Sequence, residues 1–120
     1  MNNSNKPYDL EERTYLFAEH CKQFVNNLPK TTANIEYSKQ LIRSSGSQAA
    51  NYIEACEALG KKDKSFRIRV ARKETKESCL WLRLCETCNK IELEEDKQLL
   101  NVEGKELRNI FTSILEKINK

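Results

Sequence analysis

Small and apolar residues recur at alternating steps of four and three along this chain, and that spacing suits helices and little else. Leu10, Thr14, Phe17, Cys21, Phe24 and Leu28 form the first stripe, which is one face of a 3.6-residue repeat. Ile35, Ser38, Ile42, Ser45, Ala49, Tyr52, Ile53 and Cys56 form a second. Val70, Trp81, Leu84, Cys85 and Cys88 mark the inner face of a third, with Phe66 at its entrance. The fourth comprises Leu99, Leu100, Leu107, Ile110, Phe111, Ile114, Leu115 and Ile118. No segment sustains the apolar–polar alternation of a strand or carries an Asn-Gly hairpin signal, so strands are not expected.

Three interruptions divide the stripes. Leu28-Pro29-Lys30-Thr31-Thr32 stops one helix at proline and offers threonine to cap the next. At Leu59-Gly60-Lys61-Lys62-Asp63 the glycine suits a left-handed helix end and Asp63 suits a cap. The polar run from Asn89 through Asp96 is the third. The first helix opens with Asp9 and Glu12 at capping-box spacing. Helices are therefore predicted over 9–28, 33–59, 63–89 and 95–118, joined by short loops. The expected architecture is all-α: one antiparallel, up-and-down four-helix bundle spanning 1–120 as a single domain.

Composition agrees with that architecture. With 120 residues, 38% hydrophobic and 32% charged, the chain can fill one core, and three Gly and two Pro leave few breakers. No apolar run approaches the roughly 20 residues that cross a bilayer. The polar start Met1-Asn2-Asn3-Ser4-Asn5-Lys6-Pro7 lacks the apolar core of a signal peptide. Five cysteines, an odd number in a chain that needs no staples, read as reduced thiols. The expected location is the cytoplasm, with no membrane partner.

The net charge of +3 is unevenly spread, since residues 61–90 carry 10 Lys and Arg against 4 Asp and Glu. Lys62, Arg69, Arg72, Lys73, Lys76 and Arg83 fall within one narrow stripe of the third helix, broken by Leu80. Such a stripe is either a solvated face or a surface that attracts phosphate backbones without reading sequence. No aromatic residues interleave it as a stacking platform would require.

Other residues depart from a plain bundle. On the second helix Arg43, Ser47, Ala50, Asn51 and Glu54 share a face, inside a run of small residues that suits either close packing within the chain or contact with another subunit. Glu74 and Glu77 lie on or beside the apolar face of the third helix, where a carboxylate needs a partner, and Arg43 is the best candidate for a buried ion pair. Acid–base or metal chemistry by that pair lacks support from a nearby His or a second acidic pair. Cys85-Glu86-Thr87-Cys88 has C-x-x-C spacing, but it is expected late in a helix as two inward positions, whereas redox pairs sit at a helix start. Zinc would need two further ligands, and His20 is the one imidazole. No catalytic residue, cofactor site or metal site is assigned.

The chain resembles the four-helix-bundle family encoded by intervening sequences inside bacterial 23S ribosomal RNA genes. One matching stretch runs Arg43-Ser44-Ser45-Gly46-Ser47-Gln48-Ala49-Ala50-Asn51-Tyr52-Ile53-Glu54-Ala55, against the family's Arg-Ser-Ser-x-Ser-x-Ala-Ala-Asn-x-x-Glu-Ala. In the other, Ala71 through Ser78 and Leu80-Trp81-Leu82 resemble its Lys-Glu-Ala-x-Glu-Thr…Trp-Leu pattern, with Gly46, Thr75 and Ser78 as departures. The likeness extends from about Leu10 to Leu115. It implies an up-and-down bundle that assembles as a homopentamer. It also implies kinship with the accessory variability determinant of diversity-generating retroelements, a more basic pentamer that binds nucleic acid and its reverse transcriptase. Arg43, Ser47, Asn51, Glu54, Glu74, Glu77 and Trp81 carry the signature here and read as scaffold and interface. The functional expectation is a non-enzymatic, oligomeric binding protein that contacts RNA or DNA through the third-helix stripe. The alternative is an adaptor for a protein encoded nearby, such as a reverse transcriptase, with no nucleic-acid binding of its own.

Overall fold

The computed structural model describes residues 9–120; the polar segment Met1–Pro7 lies outside the described residues. Helix α1 (Leu10–Asn26) starts where Asp9 accepts a hydrogen bond from the Glu12 N–H at 3.2 Å. It stops three residues before Pro29. Its predicted stripe is its buried face: Leu10, Thr14, Phe17, Cys21 and Phe24 all point inward, and Leu28 follows in the loop.

Thr31 caps α2 (Thr32–Cys56) by accepting from the Asn34 N–H at 3.0 Å. The predicted inner face of this helix holds at Ser45, which is buried, but elsewhere the buried positions lie mostly one residue away from those expected. Ile35, Ile42 and Ile53 are 45%, 47% and 44% exposed, while Asn34, Leu41, Ser44, Ser45, Gln48 and Ala55 are buried. One residue is a turn of about 100° around the helix axis. The interior here prefers small side chains that let α2 and α3 approach. The hydroxyls of Ser44, Ser45, Thr75 and Ser78 cost little to bury because each reaches a carbonyl one turn back or another hydroxyl. Ser44 Oγ meets Ser78 Oγ at 2.7 Å, Thr75 donates to the Ala71 carbonyl at 2.8 Å, and Ser78 to that of Glu74 at 3.0 Å.

The same substitution of small for large governs α3 (Lys61–Leu84), whose buried residues are Ser65, Ile68, Ala71, Thr75, Ser78 and Leu82. Of its predicted inner face, Phe66 and Leu84 are exposed and Val70 and Trp81 are half-buried. Gly60 is extended (φ −134°) and precedes α3 as its N-cap, so it is not a left-handed terminus of α2, and Asp63 sits in the first turn. Helix α3 also ends five residues earlier than predicted. Cys85 is already extended, and Cys88 and Asn89 take positive φ (55° and 65°), so the C-x-x-C pair lies in a loop.

That loop is tied down from the opposite side of the chain. The buried Asn34 amide donates to the Pro29 and Glu86 carbonyls (2.9 and 2.8 Å) and accepts from the Glu86 N–H (2.7 Å). Helix α4 (Ile91–Ile118) then begins four residues earlier than predicted, with Thr87 Oγ1 donating to Glu94 and Lys97 Nζ to the Cys85 carbonyl at 2.9 Å. It buries Leu93, Leu100, Gly104, Leu107, Phe111 and Leu115. Leu99, expected inside, is 69% exposed.

Each helix packs on its sequence neighbours, and α1 closes the ring on α4 over the smallest of the four seams. The result is the antiparallel up-and-down four-helix bundle expected. Arg13 clamps the closing seam, reaching Glu103 through Nη2 at 2.6 Å and Nε at 3.0 Å, and Glu106 at 3.0 Å. Among the described residues, no helix is long and apolar enough to cross a membrane.

Candidate nucleic-acid interface

With Ile68, Ala71, Thr75 and Ser78 inward, positions 69, 72, 73, 76 and 83 of α3 fall on its flank. Helix α4 packs against that flank, and the two helices enclose a groove of two adjoining cavities. One, of about 620 Å³, is lined by Lys73, Lys76 and Arg83 from α3 and by Lys105 and Arg108 from α4. The other, of about 550 Å³, shares Lys73, Lys76 and Arg108 and adds Arg69 and Arg72. Five of the six predicted cations therefore line one groove. Lys62 does not; it is exposed in the first turn of α3. Arg72 is the least free of the five, since its Nη1 reaches Thr112 Oγ1 at 3.4 Å.

Sequence reasoning missed the second wall. Lys105 and Arg108 sit three residues apart on α4, which is a helical i,i+3 pair and a usable signal. The surrounding segment is net acidic, however, and that masks them. Of the groove's lining, Glu77 is the one carboxylate. Its charge is met from behind by Arg43, whose Nη2 lies 3.1 Å from Glu77 Oε1 and 3.2 Å from Glu74 Oε1. The predicted partnership therefore forms, but not as a buried pair. Arg43 is 51% exposed, Glu77 35% and Glu74 12%. In that much water the pair contributes about 0–1 kcal/mol.

Two of the remaining signature residues, Asn51 and Trp81, bridge α2 and α3. Asn51 donates to the Ser47 carbonyl at 2.9 Å and accepts from Arg67 Nη1 at 3.1 Å. Trp81 stacks on Tyr37 (centroids 5.9 Å apart, 28° between planes), and its buried Nε1 has no partner. Glu54 is exposed. Asn51 and Trp81 thus make contacts between α2 and α3.

The thiols separate by environment. Cys85 is buried at the end of α3, where loss of solvation pushes it up to about 11, whereas Cys88 is exposed. Burial also raises Cys21 and Cys79, the latter opposed by the charges of Arg108 and Lys105. Of the two inward positions expected, Cys85 is therefore one and Cys88 is not. Among the described residues, no group of three or more His, Cys, Asp and Glu is placed to hold a metal ion.

Two apolar faces remain uncovered. Ile35, Ile42 and Ile53 lie on the outside of α2, and Ile91, Leu99 and Val102 (73%, 69% and 55% exposed) lie on the outside of α4. The two helices are diagonal partners in the bundle.

Comparison with known proteins gives a consistent lineage. A crystal structure of a protein of unknown function from the S23 ribosomal protein family of Bacteroides thetaiotaomicron superposes with a TM-score of 0.73. The two are 27% identical over 88% of this chain and 96% of that one. No curated protein matches. The family model for the 23S rRNA-intervening sequence protein matches residues 7–113, and the chain belongs to that family.

Proposed function

We propose that this chain is a non-enzymatic, homo-oligomeric scaffold that binds nucleic acid, without reading sequence, through the basic groove between α3 and α4. The observation that carries the reading is the convergence of seven cations from two helices on one groove that holds a single carboxylate. A linear polyanion releases condensed counterions when it meets such a surface, which supplies affinity independent of base identity. Five unpaired cysteines support a reducing, cytoplasmic setting.

Self-association is supported by the apolar faces of α2 and α4. A monomer with isoleucines on one side and a Leu–Ile–Val patch diagonally across it suits a head-to-tail contact, which closes into a ring when the rotation allows. The family resemblance implies five subunits. Light scattering on the purified protein gives the mass, and a monomer would reject this half of the proposal.

The test of the binding half is anisotropy of a labelled RNA or DNA oligonucleotide at low and moderate salt. Binding should weaken steeply with salt. Replacing Arg69, Arg72, Lys73 and Lys76 together by Glu should abolish it while the helical circular dichroism persists. Absence of binding at low salt rejects the reading. The same exposed faces of α2 and α4 favour a second one, an adaptor for a protein partner such as a reverse transcriptase, which a pull-down against proteins encoded nearby would reveal.

A further inference from the structure

We propose that the α3–α4 groove seats one phosphodiester strand between two cationic walls, and that Arg43 is a positioning residue that holds the charge of Glu77 off that strand. The inference rests on the nucleic-acid reading above and names two parts of the site that the stripe on α3 does not contain.

The first part is the opposite wall. The two cavities share Lys73, Lys76 and Arg108, so they form one continuous cleft with cations on both sides. Cations along both sides of one groove suit a linear polyanion lying in it. From Arg69 to Arg83 the wall runs about 21 Å at the helical rise. At about 3.4 Å per phosphate along a duplex strand, that length meets roughly six phosphates. Leu80 and Cys79 line it without any aromatic ring, so the backbone, and not stacked bases, is what the groove can grip.

The second part is the control of Glu77. This carboxylate faces the groove on one side and Arg43 on the other, at 3.1 Å. Arg43 lines neither cavity. Without it, a full negative charge would stand on the wall and repel the ligand. A screened charge a few ångströms from a phosphate changes affinity by about two- to fivefold.

The experiment is anisotropy on the full chain with a labelled single-stranded RNA and with the matching duplex, across a potassium chloride series. Lys105→Gln with Arg108→Gln should flatten the slope of log affinity against log salt by about 1.4 for the single strand or about 1.8 for the duplex. Which strand form binds more tightly identifies the natural source of the phosphodiester. Should the double variant lose helicity, the exposed Lys105→Gln alone carries the test with half that change. Glu77→Gln should tighten binding and Arg43→Gln weaken it, each about two- to fivefold. In the Glu77→Gln background, Arg43→Gln should cost less binding than it does in the wild type, because the carboxylate on the groove wall is gone while the Glu74 contact remains. An unchanged slope in a folded α4 variant, or an Arg43→Gln loss as large without Glu77 as with it, overturns the inference while the nucleic-acid reading survives. A wild-type chain that binds neither strand form at low salt overturns both.

Discussion

Gly104 of α4 lies close against Cys79 of α3, and its replacement by alanine tests how the groove is built. A Cβ there would lie 2.6 Å from Cys79 Sγ and 3.4 Å from Phe17 Cζ. The first distance is below any ordinary contact, so the thiol or the helix must move. Overpacking of this kind costs about 1–3 kcal/mol. Against it stands the helix preference for alanine over glycine, about 1 kcal/mol at a helical site. Gly104 has no positive φ to protect, so that gain is fully available. The balance is a net loss near 1 kcal/mol, read as a fall of about 3–5 °C in Tm for a chain of this size. The discriminating variant removes the obstacle. With Cys79→Ala in place, Gly104→Ala should no longer cost stability and should return about 0.5–1 kcal/mol from the propensity term. Thermal melts of the four proteins of this cycle provide the assay. A Gly104→Ala that raises Tm in the wild-type background, or that costs the same with and without Cys79, would refute the close approach.

Asn34→Ala removes three hydrogen bonds that join the 27–31 and 85–90 loops, and should cost about 2–4 kcal/mol by urea unfolding. Hydrogen exchange at the Glu86 amide should accelerate at the same time, and an unchanged rate would sink the clamp. Trp81→Ala should cost less than the roughly 3–5 kcal/mol of a fully buried aromatic, because the indole is half-buried and packed on Tyr37. Trp81→Phe should be milder still, since it discards a buried N–H that has no partner. Alkylation followed by mass spectrometry should label Cys56 and Cys88 first and leave Cys21 and Cys85 to unfolding; early labelling of Cys85 would contradict its burial.

What could be read from the sequence divides along a physical line. The α1 stripe was legible because its inward residues include Leu10, Phe17 and Phe24, large groups whose burial no polar alternative rivals. On α2 and α3 the interior is built instead from Ser44, Ser45, Thr75 and Ser78, whose hydroxyls are satisfied within their own helix or by each other. A reading that seeks the most apolar face then selects the isoleucines, and lands about 100° away. The Arg43 pairing was legible for a different reason: two carboxylates beside an apolar stripe require a cation, and few lie within reach. Half of the groove was not, because which helix packs on the flank of α3 is decided by the whole bundle. Lys105 and Arg108 matter only once α4 is placed beside Lys73 and Lys76.

Assembly and ligand binding are separable in the proposed scaffold. None of Ile35, Ile42, Ile53, Ile91, Leu99 and Val102 lines either cavity of the groove. A contact that joins the outside of α2 to the outside of α4 would therefore leave the cations of each subunit open, and a ring would repeat them around its axis. Repetition of the groove raises avidity without any new contact within a subunit. The expected pattern is asymmetric. Charge reversal at Arg69, Arg72, Lys73 and Lys76 should abolish binding and leave the mass in light scattering unchanged. Ile42→Glu or Leu99→Glu, each at an exposed site, should lower the mass and weaken binding through lost avidity alone. The salt slope per subunit would then stay as in the parent, because every groove remains intact. A groove variant that dissociates the assembly, or an Ile42→Glu oligomer of undiminished size, would show that the two surfaces have been wrongly divided.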